Sequence, residues 1–228
     1  MDYQASVITH SADRIASVNK VLRNTYQLLA LNVLFAAATA FVGLQLNFQM
    51  GIISLVIFFA GAWFLPTLIN KTADSAMGLV WTFVYTGFLG FFLAPIVGHY
   101  LNAGMGNIVW QALAGTALIF FSLSGYALTT RKDFSFMRSF LAVGVMVVFF
   151  AALALMIASF MGYYLPVVSV ALSAVVCLLM SGVILYQTGE IVNGGETNYI
   201  RATAVLFASI WSLFVHLMNI LGFLNSDD

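Results

Sequence analysis

Seven stretches of this chain are each long and apolar enough to cross a bilayer, and little sequence is left between them. They run over roughly 25–46, 51–70, 77–98, 108–129, 139–160, 166–187 and 200–222, against the about 20 residues that a spanning helix needs. In hydrocarbon every backbone N–H and C=O must be satisfied within the segment, so each stretch is expected to be an α-helix. Composition supports a membrane class, with 62% hydrophobic and 7% charged residues where a soluble domain carries about 25% charged. The expected fold is an all-α integral membrane bundle of seven transmembrane helices. Residues 1–24 read as a cytosolic N-terminal tail, 25–222 as one transmembrane domain and 223–228 as a short extracytoplasmic tail. The leader is too polar, and its apolar run too long, for a cleaved signal peptide.

The charges orient the bundle. With the N-terminus in the cytoplasm, the inner segments hold Arg14, Lys20, Arg23, Lys71, Arg131, Lys132, Arg138 and Arg201, which is every Lys and Arg in the chain. The links expected outside hold none, and the C-terminus ends in Asp227 and Asp228. Such one-sidedness predicts N-in, C-out, with six spans and a re-entrant tail as the alternative.

Within the spans, Gly87, Gly90, Gly115, Gly125, Ala154 and Ala158 are expected to let helices approach closely. Asn32 and Thr39 are expected to hydrogen-bond between helices, and Pro95 and Pro166 to mark kinks or ends. The last span carries Ser209, Ser212, His216 and Asn219 at intervals of three, four and three, one stripe of a helix. A polar stripe in lipid needs protein to face, so this span is expected at the centre with the earlier helices around it.

Chemistry is sparse. No charged residue lies mid-span, which counts against a proton-coupled transporter or a carboxylate-lined pore. Neither Ser124-Gly125 nor Ser181-Gly182 completes a nucleophile turn, and His216 reads better as a hydrogen-bonding partner than as a base. There is no HExxH or paired-cysteine motif and no lysine beside Gly194-Gly195 for a phosphate loop. Cys177 is alone, so no internal disulfide forms. A formal net charge of zero gives no reason to expect nucleic acid. The chain is expected to be neither an enzyme nor the holder of a metal or cofactor, and no small-molecule substrate is specified.

The link at 188–200 is the remaining place for action. Gln187 and Glu190 share a helix face at the cytosolic mouth, and Glu196, Thr197 and Asn198 resemble an N-terminal cap for the last helix. Arg201 could pair with Glu190 or Glu196. These residues read either as caps and turns or as a gating or ion-sensing group.

Four stretches, NKVLRNTYQLL at 19–29, TGFLGFFLAPIVGHYL at 86–101, LTTRKDFSFM at 128–137 and GGETNYIRAT at 194–203, together resemble the Bax inhibitor-1 (TMBIM) superfamily, and more narrowly its bacterial YccA branch. The resemblance implies a last helix wrapped by two three-helix layers. For the branch it implies an inner-membrane protein that binds and restrains the hexameric ATP-dependent protease FtsH and is itself a slow substrate. For the wider superfamily it implies a pH-sensitive calcium leak latched by two aspartates, whose positions fall here at Gln187 and Ser209. Neither residue titrates, so this pair is expected to form a neutral, hydrogen-bonded seal. Glu190, one turn nearer the cytosol, could partly substitute. A flexible leader over 1–19 would give an unfoldase its grip. A pH-sensitive cation leak or another transport or structural role is the alternative.

Overall fold

The computed structural model describes residues 2–225, with side chains described from residue 16 onward. It contains α1 (Asp2–Gln45), α2 (Ile52–Thr72), α3 (Ala76–Asn102), α4 (Gly106–Thr130), α5 (Met137–Phe160), α6 (Pro166–Asn193) and α7 (Tyr199–Asn225). Every one of the seven includes a segment long and apolar enough to cross a membrane. Left-handed residues stop five of them: Asn47 after α1, Gly104 after α3, Arg131 after α4, Gly162 after α5 and Gly194 after α6. Such a residue turns the chain and lets the next N–H groups reach back to the last carbonyls. Pro166 starts α6 at its first turn, where the missing N–H costs nothing.

The expected boundary between a tail and the bundle at residue 24 falls inside α1, which is one uninterrupted helix from Asp2. No Gly or Pro occurs between residues 2 and 42, so nothing in the local sequence breaks the helix. The apolar part begins at Ala16. Residues 226–228, half of the expected C-terminal tail, lie outside the described residues, and 223–225 continue α7.

The helices form two layers, α1–α2–α3 and α4–α5–α6, with α7 between them. α7 packs against α1, α2, α3, α4 and α6, and Leu206, Leu213 and Met218 on it are wholly buried. α5 packs on α6, and its residues are mostly turned to lipid. The central last helix is thus as the polar stripe required.

α1 and α3 make the closest pair. A Cβ on Gly90 would stand 2.7 Å from Ala36 Cα and would also collide with Thr39 Oγ1, and one on Gly87 would stand 2.6 Å from Phe35. Asn32 Oδ1 accepts from Thr86 Oγ1 at 2.8 Å across the same interface, as expected, while Asn32 Nδ2 donates to Leu28 O. Thr39 departs from expectation, since its hydroxyl turns to Ala36 O in its own helix. A helical threonine always has that carbonyl within reach. Gly125 and Ala154 also differ: no atom lies within 4 Å of a Cβ on Gly125, and Ala154 is exposed. On the α5–α6 pair the small residues are Gly144 and Gly182, against Leu179 and Leu141.

This contrast is testable by thermal unfolding in detergent. Gly90→Ala should cost about 1–3 kcal/mol, because backbone rather than a mobile side chain blocks the methyl. Gly125→Ala should be neutral, or stabilising by about 0.5–1 kcal/mol through helix propensity. Equal melting temperatures for the two variants would contradict the α1–α3 packing.

Candidate functional site

Two polar groups occupy α6 and α7, one half-buried toward the end of the bundle away from the cations and one at the face that carries them. In the first group, Asn219 Nδ2 donates to Ser173 Oγ at 2.8 Å and to Ser169 Oγ at 3.1 Å. His216 Nδ1 shares a 3.0 Å hydrogen bond with the same Ser173. Ser173 can therefore accept from Asn219 and give its own proton to the imidazole. Ser212 lies half-buried in the stripe. His216 and Asn219 thus face protein, and their partners are two serines on α6 that the sequence reading missed. Ser169 and Ser173 lie four apart in an apolar run, the same spacing signal that revealed the stripe itself.

The expected seal between Gln187 and Ser209 does not form. Both residues are buried, but Ser209 Oγ donates to Val205 O in its own helix at 2.9 Å, and Gln187 Nε2 has no hydrogen-bond partner among the described residues. Serine in a helix can satisfy itself against the carbonyl one turn back, so it does not need the glutamine. Thr25 Oγ1 and Tyr26 OH on α1 are likewise buried without a partner. Nearby hydroxyls pair across helices, Ser124 with Thr188 at 3.4 Å and Thr203 Oγ1 to Thr25 O at 3.3 Å. This region is a neutral polar layer holding α1, α4, α6 and α7 together.

At the basic face the α6–α7 link is tied down from both sides. Gly194 adopts φ 77° and ends α6, while Gly195 N and Glu196 N both donate to Glu190 O. The Glu190 carboxylate folds over the turn, close enough that a Cβ on Gly195 would stand 2.7 Å from its Oε2. Asn198 is the cap of α7: its Oδ1 accepts from Ile200 N at 2.9 Å and Arg201 N at 3.2 Å. Its Nδ2 donates to Ala73 O at 3.0 Å and Asp74 Oδ1 at 2.8 Å. One side chain thus joins the start of α7 to the α2–α3 link. Glu196 Oε1 accepts from Asn198 N at 2.8 Å and pairs with Arg201 at 3.6 Å. Arg201 therefore chooses Glu196 over Glu190. The pair is partly exposed and contributes little by itself. Asn198 is the principal cap, with Glu196 supporting it.

A third link closes this face. Asn193 Nδ2 donates to Lys132 O at 3.0 Å, joining α6 to the α4–α5 link. There the Ser135 backbone N–H donates to Asp133 Oδ1 at 2.7 Å. That bond first, and the Ser135 hydroxyl second, hold the Asp133 carboxyl below its ordinary pKa. The links at 73–75, 131–136 and 194–198 are therefore on one side of the molecule, together with Lys71, Arg131, Lys132, Arg138 and Arg201. Among the described residues no three His, Cys, Asp or Glu converge as a metal site. The geometry here caps, ties and presents a surface.

A family model described as "Inhibitor of apoptosis-promoting Bax1" matches residues 18–226. The chain is 44% identical over 223 residues to a protein of Escherichia coli (strain K12) named "Modulator of FtsH protease YccA", covering 97% of this chain and 99% of that one. The same identity and coverage hold for "Inner membrane protein YccA" of Escherichia coli O6:H1. An "Uncharacterized membrane protein" of Vibrio cholerae is 42% identical over 221 residues, 96% of each chain.

Proposed function

The chain belongs to the Bax1-I family, and on that premise we propose that it is a bacterial inner-membrane protein that binds and restrains an FtsH-type membrane-anchored protease. The observation that carries this reading is the near full-length identity to a relative named as a modulator of that protease. The proposed orientation is N-in, C-out, which puts the basic face and the N-terminal helix on the cytosolic side. An ATP-driven unfoldase working there would meet the start of α1 and the three tied links together.

A second reading, a pH-gated cation leak, finds less support. The two positions that would form its latch hold Gln187 and Ser209, which do not titrate and do not bond to each other. The residues proposed for the protease-facing surface are Glu190, Glu196 and Arg201 around the Asn198 staple.

Crosslinking in intact membranes followed by pulldown of this chain tests the reading. The hexameric protease should be recovered in crosslinked complexes. A clean negative with the protease abundant in the same membranes would overturn it.

A further inference from the structure

The backbones of α1 and α4 stand apart along their length, leaving a groove between two helices that belong to different layers. In the membrane it is an apolar slot of about 550 Å³, rimmed by Ala30 and Val33 on α1 and Leu113 and Phe121 on α4, and floored by Trp211 and Phe214 of α7. At the basic face lies a polar hollow of about 490 Å³ that includes Asn19 and Leu22 of α1, Leu128 of α4, Arg131 and Asp133. The same two helices rim both. Leu22 and Tyr26 are one turn apart, as are Leu128 and Gly125, where a Cβ would meet open space. Tyr26 reaches across to Phe120 at 5.9 Å between ring centroids, but Phe120 is buried, so this bridge belongs to the groove's floor.

The hollow carries both signs of charge. Asp133 is fixed by the Ser135 amide, and Arg131 holds the left-handed position that ends α4. Among the described residues the ion pair is Glu196–Arg201, so Arg131 and Asp133 line one hollow without neutralising each other. We propose that the α1–α4 groove binds one glycerophospholipid of the adjacent leaflet with a zwitterionic, amine-bearing headgroup. Its phosphate meets Arg131, its ammonium meets Asp133, and one acyl chain lies in the slot against Trp211.

A helix about 10 Å across and 30 Å long fills on the order of 2,000 Å³, so the slot of about 550 Å³ could take in only a few side chains of one. Charge then selects among lipids. Hydrocarbon gains little by moving from bulk lipid into an apolar slot, so selectivity falls to the headgroup. An opposed Arg and Asp favour a zwitterion over a net anion.

Trp211 reports on occupancy directly. Its Nε1 donates to Leu89 O at 3.0 Å, fixing the indole at the slot floor. With Trp63, Trp81 and Trp110 each changed to Phe, the full chain is reconstituted in vesicles whose phosphatidylethanolamine or phosphatidylglycerol carries brominated acyl chains. Trp211 emission should be quenched roughly threefold to fivefold more effectively by the ethanolamine lipid, the scale of one exposed charge contact. Asp133→Asn, which keeps an acceptor for the Ser135 amide, should remove the preference, Arg131→Gln should weaken quenching by both lipids, and Ala117→Phe, which fills the slot, should remove most of the quenching. Wild-type protein released in mild detergent should retain one phosphatidylethanolamine by native mass spectrometry, which covers the case in which a variant does not fold. Trp211 protected from bromine, quenching equal for the two headgroups, or retained lipid without ethanolamine enrichment would each overturn the proposal.

Discussion

Replacing Asn198 with alanine should destabilise the folded bundle by about 3 kcal/mol, the largest single-residue effect expected in this protein. Loss of the cap accounts for about 1 kcal/mol. Loss of the donor to a buried carbonyl and to a carboxylate accounts for about 2 more, since Ala73 O and Asp74 Oδ1 are both held by Nδ2. Asn198→Asp separates the two roles. It keeps the oxygen that caps Ile200 and Arg201 but sets a second carboxylate where a donor now meets Asp74 at 2.8 Å. It should therefore be at least as damaging as alanine at neutral pH, and Asp74→Asn should recover much of the loss by restoring a donor. Unfolding in detergent gives the stabilities, and trypsin cleavage at Lys71 and Arg201 reports whether the two links have parted. If both single variants unfold with the wild type, Asn198 is not the staple of this face.

That staple also marks the limit of what the sequence discloses. The capping role of the 196–198 segment is local, carried by residue type and position before an apolar run. The bond to the α2–α3 link spans more than a hundred residues of chain, and no local pattern encodes it. The spans were legible for a related reason: in lipid the backbone has few choices, so hydrophobic length alone fixes a helix and its approximate ends. α7 could be placed at the centre because a polar stripe cannot face lipid, and His216 and Asn219 do meet Ser173. The small residues were harder to read. Gly90 and Gly125 are alike in sequence, yet one touches backbone and the other open space. Only the partner helix distinguishes them.

Gln187 and Ser209 show the same limit in the site. Position by position they fall where a latch is expected, and both are buried between helices. Whether two neutral groups bond depends on which competing acceptor is nearer. Ser209 had Val205 O one turn away. A carboxylate in its place could not donate there and would have needed a partner across the interface. Substitution therefore changes the geometry of the pair along with its titration.

On the proposed function, deleting residues 2–16 should abolish turnover of this protein by the protease while keeping the packed residues described on α1, such as Leu28, Leu29 and Ala36. The leader expected as a flexible tail is the first part of a helix that continues into the membrane, and this changes how a pull would be felt. An isolated helix of about 12–15 residues is marginal in water, which is the property by which an unfoldase would take hold of a leader. Once the leader is drawn in, the load passes directly onto α1, where Gly87 and Gly90 lock into Phe35 and Ala36 and Asn32 is bonded to Thr86. Drawing α1 out would break the Asn32–Thr86 bond, leaving Thr86 Oγ1 only Phe83 O in its own helix, and would undo the close α1–α3 packing inside lipid. Extraction should stall there, and a protease held on a stalled client is withheld from others. The same barrier supplies an opposite test. With the leader kept, Gly90→Ala should speed turnover roughly tenfold if it weakens the interface by the expected 1–3 kcal/mol, and should weaken protection of other substrates in proportion. Turnover and protection both unchanged in the deletion would show that the grip lies elsewhere; unchanged turnover in the glycine variant would show that α1 is not what resists.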